Sequence, residues 1–187
     1  MTQTNARDQN STDSGSASDS QRMAEILTAD IDIRIARDGT WYHEGGAIRR
    51  KPLVKLFAGI LRRDDDGAYV LVTPLERRRI QVEDAPFVAV EATVSGEGSH
   101  QTVMFRTNVD DEVVAGPDHP IRVVVDPETD EPSPYVLVRA GLEALIARPV
   151  YYQLVEAGRV VESGEGEVLG IDSCGVFFVL GALNDDP

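Results

Sequence analysis

Cysteine occurs once in this chain, at Cys174, so no internal disulfide can form and a reducing compartment is expected. Lysine is nearly as scarce, with only Lys51 and Lys55 against thirty-two Asp and Glu, which gives a strongly hydrated acidic surface. No apolar run approaches the length of a membrane span. The N-terminal residues contain no apolar h-region, so no secretory signal is expected. These absences together predict a cytoplasmic chain. His43, His100 and His119 stand far apart and lack metal-ligand spacing. Gly164 and Gly166 are not set between a strand and a helix, which excludes a dinucleotide fingerprint. No catalytic signature stands out, and the residues name no cofactor.

What is abundant is charge of one sign, unevenly placed. The chain has 187 residues, 42% of them apolar, and a net charge of -14. That length and apolar content allow one domain or two small ones around a real core. The overall field would repel phosphate backbones, which argues against general nucleic-acid binding. Yet nine of the eighteen Lys and Arg fall within residues 49–79: Arg49, Arg50, Lys51, Lys55, Arg62, Arg63, Arg77, Arg78 and Arg79. Only Asp64, Asp65, Asp66 and Glu76 oppose them, so this segment is +5 within an acidic chain. A local cluster of that kind can recruit an anion.

Residues 1–22 are Ser, Thr, Asp, Asn and Gln with almost no bulky apolar side chain, the composition of a disordered tail. An α+β domain is expected over 23–85 and a β-rich domain with one helix over 86–187, with Asp84-Ala85-Pro86 at the boundary. In the first, a helical lead-in at Met23–Leu27 precedes a strand in which Ile31, Ile33 and Ile35 alternate. Asp38-Gly39 turns the chain into a strand at Trp41-Tyr42. Leu53, Leu56, Phe57, Ile60 and Leu61 form one helical stripe, and Pro52 suits its first turn. Strands follow at Tyr69–Thr73 and Ile80–Val82. In the second domain strands are expected at Phe87–Val94, Thr102–Arg106, Ile121–Val125, Val150–Val155, Val168–Ile171 and Val176–Leu180. Its helix is placed at Val138–Ala147, with Val138, Leu142, Leu145 and Ile146 on one face. Cys174, just before an apolar strand, is expected to be buried.

The halves echo each other. Ile33-Arg34 with Asp38 is matched 88 positions later by Ile121-Arg122 with Asp126. The face Leu53, Phe57, Ile60 and Leu61 is matched 85 positions later by Val138, Leu142, Leu145 and Ile146. This predicts a duplicated strand–helix–strand core, and ligand pockets favour the junction of such copies.

Cations at a helix start oppose its dipole, at a cost of about 0.3–1 kcal/mol each. Arg49, Arg50 and Lys51 crowd the start of the first helix all the same, and Arg139 sits early in the expected second one. Exposed N–H groups with added cations make an anion site. Arg77-Arg78-Arg79 would form a second wall, alternating if extended. Glu83-Asp84 and Asp110-Asp111-Glu112 offer carboxylates, without calcium-loop spacing.

The string Asp38-Gly39-Thr40-Trp41-Tyr42-His43, Ile48-Arg49, and the helix through Leu56-Phe57 resembles a bacterial family, the domain of unknown function 1285. So do Tyr69 through Glu76, Ile80 through Phe87, Phe105-Arg106-Thr107-Asn108, His119-Pro120-Ile121, Pro134-Tyr135-Val136 and Arg139 through Ala144. The likeness spans roughly residues 25–183. It implies a duplicated α+β core and a C-terminal half similar to a pleckstrin-homology-like barrel or sheet with one helix. The family has no established activity; the resemblance implies a nucleotide-like ligand between the halves and a role in signalling.

Three functions are open on this reading. The first is a ligand-binding or signalling module holding an anionic, nucleotide-like small molecule. Arg49, Arg50 and Lys51 would neutralise phosphate, Trp41 or Tyr42 would stack on a base, and Thr73, Glu76, Asn108 and Arg139 would supply polar direction. The second is a protein-interaction scaffold whose basic segment docks an acidic protein partner. The third is a metal-dependent phosphoester enzyme built on Glu83-Asp84.

Overall fold

The computed structural model describes residues 18–23, 32–164 and 166–183. Two compact units emerge: Met1–Ile35 with Thr40–Gln81, and Ala36–Gly39 with Val82–Pro187. The chain is mixed α+β, mostly sheet with few helices. The polar tail expected over 1–22 lies, through residue 17, outside the described residues; residues 18–23 are helical, and most of the expected lead-in falls outside as well.

In the first unit β1 (Ile33–Ile35), β2 (Trp41–His43) and β3 (Gly46–Ala47) precede α1 (Lys51–Ile60). Then come β4 (Leu61–Arg63), β5 (Tyr69–Val72) and β6 (Arg77–Val82). They form one sheet in the order β3-β2-β1-β6-β5-β4. The alternation of Ile33 and Ile35 puts both side chains into the core, opposite His43 and Trp41 in antiparallel register. Helix α1 buries Leu53, Phe57 and Ala58. The Phe57 ring stacks on Trp41 at 6.0 Å between centroids and 15° between planes. Such a pair contributes about 0.5–1.5 kcal/mol beyond the area it buries. The helix ends where Leu61 turns extended, and Leu61 itself is fully buried as the first residue of β4.

The second unit opens with β7 (Phe87–Ser95), β8 (Thr102–Thr107), β9 (Glu112–Val114), β10 (Ile121–Val125), β11 (Pro132–Arg139) and β12 (Leu142–Ile146). Their sheet runs β10-β11-β12-β7-β8-β9, antiparallel except where β12 pairs β7 in parallel, with Ala144 beside Phe87. Helix α2 (Arg148–Ala157) leads into an antiparallel meander of β13 (Arg159–Ser163), β14 (Gly166–Ser173) and β15 (Val176–Leu183). Val150, Tyr151 and Leu154 are the buried face of α2, and the Tyr151 hydroxyl donates to the Leu180 carbonyl at 2.7 Å. Ser173 ties the meander to β8: its buried hydroxyl donates to the Ala115 carbonyl at 2.7 Å and accepts from the Val103 amide at 2.9 Å. Both groups would otherwise lack partners away from water.

The expected helix at Val138–Ala147 is a β-hairpin instead, and the expected strand at Val150–Val155 is helix α2. Ala140 and Gly141, both at positive φ, turn β11 into β12. Leu142, Ala144 and Ile146 then alternate into the core with period two. The equivalence drawn between that supposed helix face and α1 therefore falls. Cys174 is exposed, not buried: it occupies the tight turn between β14 and β15 at φ +50°. Among the described residues no helix is long and apolar enough to cross a membrane.

Candidate functional site

The site begins with the tripeptide Arg49-Arg50-Lys51 entering α1. Arg50 is the N-cap, in extended conformation, and no side chain caps the helix. Its carbonyl already accepts from the amides of Leu53 at 3.0 Å and Val54 at 3.2 Å. No acidic residue stands in the first turn, so the positive end of the dipole is left to other partners.

A cavity of about 420 Å³ opens there, lined by Arg22, His43, Arg49, Arg50 and Leu53 and the backbone stretch 46–48. Hairpin β2–β3 supplies His43 and the floor, α1 supplies Leu53, and the helical segment 18–23 supplies Arg22. Among the described residues neither Arg22 nor Arg49 has a carboxylate partner. The Nε2 atom of His43 is buried without a hydrogen-bond partner, as is the Trp41 indole nitrogen. Asp19 is 3% exposed. Its Oδ1 lies 2.8 Å from Arg50 Nε, an ion-pair distance, yet receives no aligned hydrogen bond. Arrangements of this kind bind oxyanions: guanidinium groups donate, and an imidazole can donate beside them.

A second cavity, about 500 Å³, lies at the start of α2. Its two arginines are already engaged. Arg37 meets Asp84 at 3.2 Å and donates to Ser133 at 3.1 Å, and Arg148 meets Glu131 at 3.3 Å. The smaller cavity, whose Arg22 and Arg49 have no carboxylate partner among the described residues, is the better candidate.

Residues 25–85 match the family description "Domain of unknown function (DUF1285), N-terminal domain", and residues 86–180 match "Protein of unknown function (DUF1285), C-terminal domain". The chain belongs to the DUF1285 family. A DUF1285 family protein of Silicibacter pomeroyi DSS-3 has a crystal structure similar to this chain, with 49% sequence identity and a TM-score of 0.76. That match covers 82% of this chain and 81% of the other. A DUF1285 family protein of Shewanella baltica OS155 is 28% identical with a TM-score of 0.53, covering 67% of this chain and 91% of its own. No curated protein matches.

In this DUF1285 chain, two of the nine residues singled out from the sequence, Arg49 and Arg50, line the candidate cavity. Lys51 is adjacent and exposed, but not in its wall. Trp41 is 1% exposed and its ring is spent on Phe57, so it is a core residue and not a platform for a base. Tyr42 carries the Arg34 guanidinium over its ring at 4.3 Å. Thr73 and Glu76 close a turn: the Thr73 hydroxyl accepts from the Glu76 amide at 3.1 Å, and the Glu76 carboxylate takes Arg78 at 2.9 Å. Asn108 accepts from the Val88 amide at 3.0 Å and donates to the Gly39 carbonyl at 3.2 Å. Arg139 pairs with Asp111 and lies over the Phe87 ring at 5.0 Å; it belongs to a strand, not to a helix start.

The three consecutive arginines of β6 do alternate, and each meets a carboxylate: Arg77 pairs with Asp64, Arg79 with Asp66 at 2.5 Å, and Arg78 with Glu76. The Ala68 amide, then Arg79, hold the Asp66 carboxyl below its usual range. The carboxylates proposed for a metal are likewise engaged. Glu83 accepts from the Arg37 amide at 3.0 Å, and Asp84 accepts from the Tyr135 hydroxyl at 2.7 Å. Burial, then Asp84, pushes the Tyr135 hydroxyl up. No cluster suited to a metal ion occurs among the described residues.

The residues missed from sequence are Asp19, Arg22 and His43. Asp19 and Arg22 stand three apart, the spacing of one helical face. No apolar stripe accompanied them to set them apart from the polar tail.

Proposed function

We propose that this DUF1285 chain binds the phosphate of an anionic, nucleotide-like small molecule at the start of α1, as a signalling module. One observation carries the reading: Arg22, His43, Arg49 and Arg50 converge on a single cavity at an uncapped helix N-terminus, inside a chain of net charge -14. Two arginines without acidic partners among the described residues, in so acidic a chain, are hard to account for by surface solvation alone. The phosphate part of the reading is the part with support, since among the described residues no Phe, Tyr or Trp lines this cavity. Cytoplasmic placement, inferred from the lone cysteine, belongs to the same proposal.

The duplicated core enters here too, with a different register from the one first drawn. Arg148 stands 97 positions after Lys51. Each opens a ten-residue helix with proline in its first turn. A hairpin precedes each helix, β2–β3 and β11–β12, and a run of three antiparallel strands follows it. Buried Leu53 and Phe57 then correspond to buried Val150 and Leu154. A cavity opens at each helix start. The pleckstrin-homology-like reading of the second unit draws on its combination of two sheets with one helix.

A thermal-shift screen against nucleotides and inorganic pyrophosphate tests the function. A ligand at a hundred times its dissociation constant stabilises by about 2.7 kcal/mol, and Arg49→Ala should weaken affinity about tenfold, which cuts the stabilisation at the same ligand concentration to about 1.4 kcal/mol. Absence of any shift across the panel overturns the reading. Recovery of one protein partner by pull-down alongside that result would favour the scaffold.

A further inference from the structure

Among the described residues Asp19 is the one charged side chain in the buried set. Burying a carboxylate is costly unless donors saturate it. Here one oxygen has only the Arg50 guanidinium, 2.8 Å away and misaligned for a hydrogen bond. The same helical segment places Arg22 in the wall of the α1 cavity, where the buried Nε2 of His43 also lacks a partner. A carboxylate and a phosphate oxygen make the same demand of a guanidinium. An oxyanion arriving at Arg50 would thus compete with Asp19 for one donor.

We infer that Asp19 is a tethered pseudo-ligand: its carboxylate keeps the place of a ligand oxyanion at Arg50, and a phosphate-bearing ligand binds by displacing the segment 18–23, Arg22 with it, which leaves His43, Arg49 and Arg50 to hold the ligand. This rests on the proposed function of the same cavity and adds an internal competitor to it. The competitor lowers the apparent affinity by the fraction of molecules in which the segment is released. It also couples occupancy of the cavity to release of the N-terminal segment, a change that a partner of that segment could read.

The test is titration of inorganic phosphate into the full-length chain and into Asp19→Asn by calorimetry. Hydrogen exchange of the wild-type amides at 18–23 is measured with and without phosphate. The near-isosteric Asp19→Asn should bind phosphate about tenfold tighter, as expected if one molecule in ten has the segment released. Phosphate should accelerate exchange at 18–23 in the wild type. Equal affinity of the two proteins overturns the pseudo-ligand and leaves the phosphate site standing. Protection of 18–23 by phosphate does the same. Failure of both proteins to bind phosphate overturns the pseudo-ligand together with the site. Should Asp19→Asn not fold, the wild-type exchange measurement decides alone.

Discussion

Asn108→Ala should destabilise the second unit by about 2–3 kcal/mol, because the amide is a two-ended clamp inside that unit. Its oxygen takes the Val88 amide at 3.0 Å, and its nitrogen reaches the Gly39 carbonyl at 3.2 Å. Val88 is 9% exposed and Gly39 is buried, so water cannot readily replace either bond. Each bond contributes about 0.5–1.5 kcal/mol net, and leaving a buried amide unsatisfied costs about 1–3 kcal/mol. The alanine has less to lose at Gly39, because a carbonyl tolerates one missing donor better than an amide tolerates a missing acceptor. Urea denaturation followed by circular dichroism reads the loss, and hydrogen exchange at the Val88 amide locates it. Asn108→Asp gives an internal control. The new carboxylate still accepts from Val88 but faces the Gly39 carbonyl without a donor. Its deficit should shrink as the pH falls toward about 4, where a carboxyl takes up a proton and can donate again. A loss below about 0.5 kcal/mol for Asn108→Ala, with Val88 exchange unchanged, refutes the clamp.

Two further outcomes follow from the meander. Gly170→Ala should cost about 2 kcal/mol or more, since a Cβ there would meet the Phe177 ring and stand 2.5 Å from the Phe178 carbonyl oxygen, and backbone cannot swing aside; a denaturation midpoint equal to wild type refutes it. Arg159 donates to both Asp172 oxygens, at 2.6 and 3.1 Å, and this holds the Asp172 carboxyl below its usual range. A depressed carboxyl stabilises the fold above the unfolded value of about 3.9 and loses that contribution as the pH falls through the folded value. An NMR titration should therefore show Asp172 protonating late on acidification, and Arg159→Gln should bring its midpoint back up; an unmoved midpoint refutes the pair.

The sequence was legible where one periodicity admitted one structure. Ile33 and Ile35 alternate into a strand, Leu53 and Phe57 repeat along a helix, and Ile121–Val125 is a β-branched run that became β10 with those bounds. It misled where two periods fit the same residues. Val138, Leu142, Leu145 and Ile146 sit at helical spacing, while Leu142, Ala144 and Ile146 sit at strand spacing. The Ala140-Gly141 turn, which only the helical fit has to run through, decides for the hairpin. In Val150–Val155 the β-branched and aromatic residues outweighed Pro149, although Pro52 had marked the other helix in the same way. For the site, the run of cations at α1 was visible as a breach of dipole preference, and two of its three members line the cavity. What surrounds them was not, because His43, Arg22 and Asp19 arrive from a hairpin and a separate helical segment, and that convergence has no signature along the chain.

The lone tryptophan and the lone cysteine fall in different units. Trp41 is sealed against Phe57 in the first, and Cys174 projects from a tight hairpin turn in the second. The wild-type polypeptide therefore carries one indole, excitable apart from its five tyrosines, and one attachment point for an acceptor dye, without any engineering. Energy transfer from the indole to a label on the thiol would track the separation of the two halves in solution, and emission from the indole alone would report the melting of the first.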